Sequence, residues 1–181
     1  GAPETPVSFV MDDVKPYGNC LFICLQDQLQ RGESTQEMRS LLANKYRALT
    51  EDDPLMGLFC LFGTTPEESA AYITDSSVDQ WATILDMCFL SILFESHIYS
   101  FSPEESLCFS TSAILAFCDV PPSMYASWTN MAFVYHHVLK SPRLVMEHAT
   151  SYNHYLSLVH QGMSPDALCA LHRDVGRKTF S

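Results

Sequence analysis

A tight turn, PYGN at 16–19, leads directly into the apolar run CLFICLQ, which begins at Cys20. Apolar side chains in that run repeat at helical spacing and predict a helix over 20–31. The start of a helix directs unpaired backbone N–H groups and positive dipole charge at the residue placed there. Such a field lowers the pKa of a thiol and stabilises a developing oxyanion, so Cys20 is a candidate nucleophile.

Helical patterns with capping signals dominate the first half of the chain. Ser34 and Glu37 have the spacing of a capping box, and Pro66 suits the first position of a helix. Ser76 or Ser77 can cap the apolar run that follows. These signals predict helices over 35–49, 66–73 and 79–94.

Strand patterns become frequent in the second half. SHIYSFS alternates and is rich in β-forming residues, which predicts a strand over 97–101. The run at 105–119 fits either a pair of strands or a buried helix. A helix is predicted over 125–140, strands at RLVMEHA and HYLSLVH, and a last helix over 164–172. This mixture predicts an α+β fold with a small sheet packed against helices.

Length and composition indicate one domain over residues 1–181, since the chain is 47% hydrophobic and long enough for a core. No apolar run of about 18 residues lacks a charge or a helix breaker, and no basic leader precedes an apolar segment. We therefore expect no membrane span and no signal peptide. The net charge of −11 argues against nucleic acid as the main partner. It fits a basic protein partner and, equally well, simple solubility.

The seven cysteines are odd in number and include no Cys-x-x-Cys pair. Together with the missing leader, this favours reduced thiols in a cytoplasm-like compartment over a disulfide framework. A zinc site needs paired ligands at short spacing, and the histidines are scattered. We expect no metal site and no cofactor.

A thiol nucleophile needs a base, and seven histidines are available. His154 differs from the others in its setting, because SYNHYLSL places it after a polar loop and at the start of an apolar strand. A side chain there is held rigidly and still reaches a cleft. A cysteine near the N-terminus with a histidine far downstream is also the order of a papain-like arrangement.

The segment YGNCLFICL resembles the nucleophile motif of the ovarian-tumour (OTU) cysteine deubiquitinases, Asp-Gly-Asn-Cys-Leu-Phe/Tyr. NHYLSL resembles their histidine motif, His-aromatic-x-x-Leu/Ile. Between the two, ITDSSVDQWATILDMCFLSILFESHIYSF resembles their Trp-Ala/Gly helix and the strand beneath the active site. The three motifs occur in the family's order. The resemblance implies a papain-like OTU fold, with a small mixed sheet packed between helices. The segment 102–147 matches none of these motifs and is interpreted as a possible insertion.

The resemblance implies that Cys20 is the nucleophile and His154 the general base. The backbone amides of the loop would form the oxyanion hole, which the resemblance places at Tyr17, Gly18, Asn19 and Cys20. Tyr17 stands where the family has Asp, a change that is tolerable if the backbone supplies the hydrogen bonds.

A second departure concerns the residue that orients the histidine. The family commonly has Asp or Asn two residues after it, where strand alternation puts both on one face. Here that position is Leu156, which cannot accept a hydrogen bond from imidazole. Asn153, Asp13 and its neighbour Asp12 are the alternatives. A Cys–His dyad is slightly favoured over a triad completed by one of them.

The activity implied is hydrolysis of (iso)peptide bonds at the C-terminus of ubiquitin or a ubiquitin-like modifier, by a monomer. The divergent acid position is typical of viral members, which predicts a viral protein in host cytoplasm. Two alternatives remain open at this point. One is an inactive OTU-like module that only binds ubiquitin or another protein. The other is an OTU-like protease that processes a viral polyprotein.

Overall fold

The computed structural model describes residues 10–12, 18–75, 80–102, 107–140 and 151–159. The helices in these ranges are α1 (Cys20–Gln28), α2 (Thr35–Ala48), α3 (Met56–Phe62), α4 (Pro66–Ile73), α5 (Ile84–Leu93) and α6 (Thr111–Phe117). The strands are β1 (Val10–Asp12), β2 (Ser96–Ser102), β3 (Leu107–Ser110), β4 (Asn130–Lys140) and β5 (Ser151–Val159).

The caps of α2 and α4 confirm two of the predicted helices. Ser34 Oγ accepts a hydrogen bond from the amide of Glu37 at 3.1 Å, which starts α2. Thr65 caps α4 through the amide of Glu68, and Pro66 takes the first helical position. A proline costs nothing there, because the N–H that it lacks would have no partner inside the helix.

The predicted helix over 79–94 begins later than expected, at Ile84. Thr83 caps it reciprocally with Asp86: the amide of Asp86 donates to Thr83 Oγ1, and the amide of Thr83 donates to the Asp86 carboxylate at 2.8 Å. The expected caps at Ser76 and Ser77 lie outside the described residues. No sequence signal had predicted α3, a helix of seven residues.

The described strands form one five-stranded sheet in the order β1-β5-β4-β2-β3. β2 and β4 run parallel, and the other neighbours are antiparallel. The sheet is therefore mixed, as the resemblance implied. β2 confirms the strand predicted over 97–101, and β5 confirms the one at HYLSLVH.

The helix predicted over 125–140 is wrong, because residues 130–140 form β4 between β5 and β2. Ala132 and Val134 are buried in the core, and Phe133 is also buried, beside the ring of Tyr99 in the neighbouring strand. A strand buried on both faces reads as a continuous apolar run, which does not distinguish it from a helix.

The ambiguous run at 105–119 contains one strand and one helix. β3 ends at Ser110, whose side chain accepts from the amide of Ala113 and so caps α6. Strand and helix therefore meet at a single residue. β3, α6 and β4 all lie within 102–147. Whether this segment is an insertion relative to the family stays a prediction.

α1 is fixed to the sheet by Gln28, in its last turn. The side-chain N–H of Gln28 donates to the carbonyl of Phe133 at 2.6 Å. Its side-chain oxygen accepts from the backbone N–H of Phe133 at 2.7 Å. Gln28 also donates to Ser157 Oγ at 3.1 Å. The glutamine thus pairs with β4 where the register between β4 and β5 stops, at Val134 opposite Ser157.

An aromatic cluster forms the centre of the helical layer. Tyr46 lies edge-on to Phe59 and Phe89, with ring centroids 5.6 Å and 4.7 Å apart. The hydroxyl of Tyr46 donates to the buried carboxylate of Asp86 at 2.5 Å. This bond supplies a partner to a carboxylate whose pKa burial raises.

Several sequence predictions lie outside the described residues, among them the strand at 143–149 and the helix over 164–172. In the part of the chain that the structure describes, no helix combines the length and the apolar character needed to cross a bilayer.

Candidate active site

Cys20 is the first residue of α1 and follows the Gly18-Asn19 turn, as the sequence pattern predicted. Asn19 occupies the N-cap position, and its carbonyl accepts the first helical hydrogen bond, from the amide of Ile23 at 3.0 Å. The helix therefore starts at the thiol, where the amides of its first turn have no partner within the helix. Tyr17, the first residue of the predicted oxyanion loop, lies outside the described residues.

The thiol of Cys20 contacts the strand that carries the predicted histidine. The backbone N–H of Tyr155 in β5 donates to Cys20 Sγ over 3.3 Å. One helical turn later, the thiol of Cys24 donates to the carbonyl oxygen of Tyr155 over 3.6 Å. The register of β1 with β5 ends at Asp12 opposite Ser157. On the other side of that pair, Cys20 and Cys24 of α1 contact β5 at Tyr155.

His154 directly precedes Tyr155, so the fold brings its backbone next to the thiol of Cys20. In the sheet, His154 pairs with His137 of β4. The side chain of His154 lies outside the part of the chain that the structure describes. Its role as general base stays a prediction.

The residues proposed to orient the histidine lie on or beside the same strands. Asn153 in β5 pairs with Val138, and Asp12 is the last residue of β1. Asp13 and the side chains of Asp12 and Asn153 lie outside the described part of the chain. The choice between a dyad and a triad therefore stays a prediction.

Cys20 is buried, with 1% of its surface exposed. Burial raises the pKa of its thiol above the ordinary value of 9.0, because removal from water disfavours the thiolate. The amides of Tyr155, Leu21 and Cys20, and then the charge of Arg39, lower this pKa by less than burial raises it. The amides at the helix start lower the pKa of the Cys20 thiol, as expected, but burial raises this pKa by more. A base has to remove the thiol proton.

The ring of Tyr155 lies fully buried beside the thiol. It stacks on His136 of β4, with ring centroids 4.8 Å apart and an interplanar angle of 11°. Among the described residues, its buried hydroxyl has no hydrogen-bond partner. Sequence reasoning singled out neither ring. The pattern of HYLSLV indicated a strand, but not which side chains would face the core.

Arg39 is a second residue of the site that sequence reasoning missed. It lies on α2, is 4% exposed, and donates to Asn19 Oδ1 and to the carbonyl of Gly18. A lone arginine in an amphipathic helix is ordinarily a surface residue, and its contacts here depend on the packing of α2 against the turn. The sequence holds no signal for this role. A buried arginine needs hydrogen-bond acceptors for its N–H groups, and only the folded structure shows where they are.

In the described part of the chain, no three His, Cys, Asp or Glu side chains cluster as metal ligands. A separate cavity of about 410 Å³ lies among α3, α4 and α5. It is lined by Phe62, Thr64, Glu68, Ser69, Tyr72, Thr83, Leu85 and Asp86. Neither Cys20 nor β5 contributes to it, so the site at the start of α1 does not depend on this cavity.

The chain has an OTU-like α+β fold, in which a helix that begins at a cysteine packs on a small mixed sheet. It is similar to a solved structure described as an ovarian tumor (OTU) domain in complex with ubiquitin. The TM-score is 0.61 with 11% sequence identity, over 96% of this chain and 90% of that one. No family model matches the sequence, and no curated protein matches it. At this identity the similarity establishes the fold alone.

Proposed function

We propose that this chain is an OTU-type cysteine protease that hydrolyses (iso)peptide bonds at the C-terminus of ubiquitin or a ubiquitin-like modifier. The contact of Cys20 Sγ with the amide of Tyr155 carries the proposal, because it joins the predicted nucleophile to the strand of His154. The fold supports it, and the solved OTU domain of similar fold is in complex with ubiquitin.

In the proposed first half-reaction, His154 takes the thiol proton of Cys20 and the thiolate attacks the carbonyl carbon of the modifier's C-terminal glycine. The new C–S bond moves the carbonyl electron pair onto oxygen. Backbone amides of the loop over 17–20 donate hydrogen bonds to that oxyanion. Collapse of the tetrahedral intermediate breaks the C–N bond, and the amine leaves with the proton held by His154.

In the second half-reaction, His154 takes a proton from water, and the hydroxyl attacks the thioester. The C–S bond breaks and His154 returns its proton to the Cys20 thiolate. The modifier leaves as a carboxylic acid, which loses its proton to solvent. Because burial raises the pKa of this thiol, the resting state favours the neutral thiol. In this mechanism the imidazole of His154 is therefore required to deprotonate Cys20 before attack.

The same burial favours a second candidate function, a module that binds ubiquitin without cleaving it. A thiol that is 1% exposed must become accessible before it can react with a substrate. Leu156, two residues after His154, also removes the acceptor that usually orients the histidine. Both observations fit loss of catalysis with retention of the fold.

The setting of the protein is part of the proposal. The cysteines that the structure describes are thiols: Cys20, Cys24, Cys60, Cys88 and Cys118. Reduced cysteines suit a cytoplasmic compartment, and we propose that the protein acts there as a monomer. A viral source, which would make this the host cytoplasm, is proposed from the sequence resemblance alone.

A ubiquitin probe that carries a C-terminal electrophile tests the enzyme against the binding module. We expect a covalent adduct in the wild type, mapped to Cys20 by mass spectrometry, and none in Cys20→Ala. Cys60→Ala is the matched control, since Cys60 is exposed and would take up any unspecific label. Measurable ubiquitin binding with no adduct would establish the module instead. An adduct without turnover of ubiquitin chains would direct the search to a polyprotein substrate.

A further inference from the structure

Arg39 is a buried cation placed against the turn that precedes Cys20. Its Nε and Nη2 both donate to Asn19 Oδ1, at 3.1 Å and 2.8 Å, and Nη2 also donates to the carbonyl of Gly18 at 3.0 Å. The guanidinium lies over the ring of Phe22 in the first turn of α1, with 4.8 Å from Cζ to the ring centroid. One side chain thus contacts both sides of the nucleophile.

The remaining contacts of Arg39 connect this turn to the chain before α5. Nη1 donates to the carbonyl of Ile73 at 3.1 Å, and Nη2 to that of Gln80 at 2.8 Å. These acceptors lie on separate segments of the chain. A planar guanidinium with five N–H groups can reach all of them, whereas an ammonium group cannot.

The bonds to Asn19 have a consequence for the helix start. Asparagine at an N-cap ordinarily accepts a hydrogen bond from an amide in the first turn. Here Asn19 makes no such bond, because its side-chain oxygen accepts from Arg39 instead. A capping side chain would occupy the amide of the second or third helical residue, Leu21 or Phe22. The Leu21 amide is one of those that lower the pKa of the Cys20 thiol. Arg39 keeps the Asn19 oxygen away from these amides.

We propose that Arg39 is a positioning residue for Cys20, which holds the Gly18-Asn19 turn and prevents Asn19 from capping α1. The first-turn amides then stay directed at the thiol of Cys20, and the held turn keeps the geometry in which its own amides face the oxygen of the scissile carbonyl. The inference rests on the proposed hydrolysis and adds the residue that assembles its oxyanion site. The positive charge of Arg39 near the thiol acts in the same direction.

Two variants separate positioning from simple structural support. Arg39→Lys keeps the charge and removes the planar fork. Asn19→Ser removes the acceptor of Arg39 and introduces a good N-cap, so the helix is kept while its first-turn amides become occupied. Arg47→Lys is the matched control, because Arg47 lies on the same helix and its side chain is 46% exposed.

The measurements are kcat and KM on a fluorogenic ubiquitin C-terminal amide, with thermal melting as the test of folding. We expect kcat to fall by about 10–100-fold in both variants with KM close to wild type, as for small displacements of catalytic groups. Arg47→Lys should match the wild type. A folded Arg39→Lys or Asn19→Ser protein with wild-type kcat would overturn the inference. If Arg39→Lys does not fold, the kcat of Asn19→Ser alone tests the inference.

A substrate-free measurement separates this inference from the proposed function. The rate at which iodoacetamide alkylates Cys20, followed on its peptide by mass spectrometry, is recorded against pH. We expect the half-maximal rate to move to higher pH in both variants, because fewer amides face the sulfur. An unchanged profile would refute the positioning role even if the protein cleaves ubiquitin. A shifted profile in a protein without turnover would support it while the proposed hydrolysis fails.

Discussion

The backbone of Tyr155 is engaged by two cysteines one helical turn apart: its N–H donates to Cys20 Sγ and its carbonyl accepts from Cys24. Residues four apart share one face of a helix. Both thiols of α1 therefore contact the backbone of the same residue of β5. The two contacts fix the start of α1 against the strand in one register. A slip of one residue in β5 would exchange the faces of His154 and Tyr155.

The first prediction is that His154→Ala removes activity as completely as Cys20→Ala. When two residues act as one catalytic unit, removal of either one loses nearly the whole rate enhancement. We expect a loss of at least about 10³-fold in kcat here. The assay is cleavage of ubiquitin chains by variants with wild-type melting temperatures. Active His154→Ala protein beside inactive His148→Ala or His160→Ala protein would show that the histidine motif was misplaced.

The second prediction compares two buried tyrosines. Tyr155→Phe should leave stability unchanged or raise it by about 1 kcal/mol, because a buried hydroxyl without a partner carries its desolvation cost uncompensated. Tyr46→Phe should lower it by about 1–3 kcal/mol, because it removes a hydrogen bond to the buried carboxylate of Asp86. Urea denaturation measures both.

Activity separates the roles of these tyrosines further. The contact of Tyr155 with Cys20 is made by the backbone, so Tyr155→Phe should keep the wild-type kcat. A strong loss of stability in Tyr155→Phe would mean that its hydroxyl has a partner beyond the described residues.

Local signals predicted the starts of three helices correctly. The Ser34 cap, Pro66 at a helix start and the turn before Cys20 each depend on residues a few positions apart, and each was confirmed. Such features are determined by the chain's own backbone and survive any arrangement of the distant parts.

The misses have a different physical origin. The run that became β4 has consecutive apolar residues over 131–135, so its periodicity did not distinguish strand from helix. Arg39 and Gln28 act on partners supplied by other elements: Gln28 pairs with Phe133, 105 positions away. Tertiary packing decides such contacts, and no local pattern encodes them.

The third prediction concerns stability at alkaline pH. Burial raises the pKa of the Cys24 thiol from its ordinary value of 9.0 to about 12. Because the folded state holds this proton more tightly, the resulting stability is complete below pH 9.0 and declines as pH rises towards 12. The loss is about 1.4 kcal/mol per pH unit for each such thiol.

Urea denaturation at about pH 8 to 11 measures this slope. Cys24→Ala should be less stable at the low end of that range, because it loses packing, but its stability should fall less steeply with pH. Cys60→Ala removes an exposed thiol and serves as the control for loss of a cysteine as such. Equal slopes for the wild type and Cys24→Ala would contradict the predicted linkage.

The last prediction concerns the residue that would orient His154, since Leu156 stands where OTU proteases commonly have Asp or Asn. If Cys20 and His154 act as a dyad, then Asp12→Ala, Asp13→Ala and Asn153→Ala should each retain most of the activity, since none would orient the imidazole. In serine proteases with an Asp-His-Ser triad, loss of the residue that orients the histidine costs up to about 10⁴-fold in kcat. A thousandfold loss in one variant, with the fold intact, would identify that residue as the third member.

Leu156→Asp is the complementary variant, because it installs an acceptor where OTU proteases commonly have one. A carboxylate taken out of water costs several kcal/mol unless a cation offsets it, and under the dyad hypothesis the imidazolium of His154 would be that cation. Under the dyad we expect the rate to rise, or stability to fall with the rate unchanged. The pH profile of kcat distinguishes these results: an aspartate paired with His154 raises the pKa of the imidazolium, so the profile moves to higher pH. A Leu156→Asp protein that folds normally but loses activity would mean that another residue already orients His154.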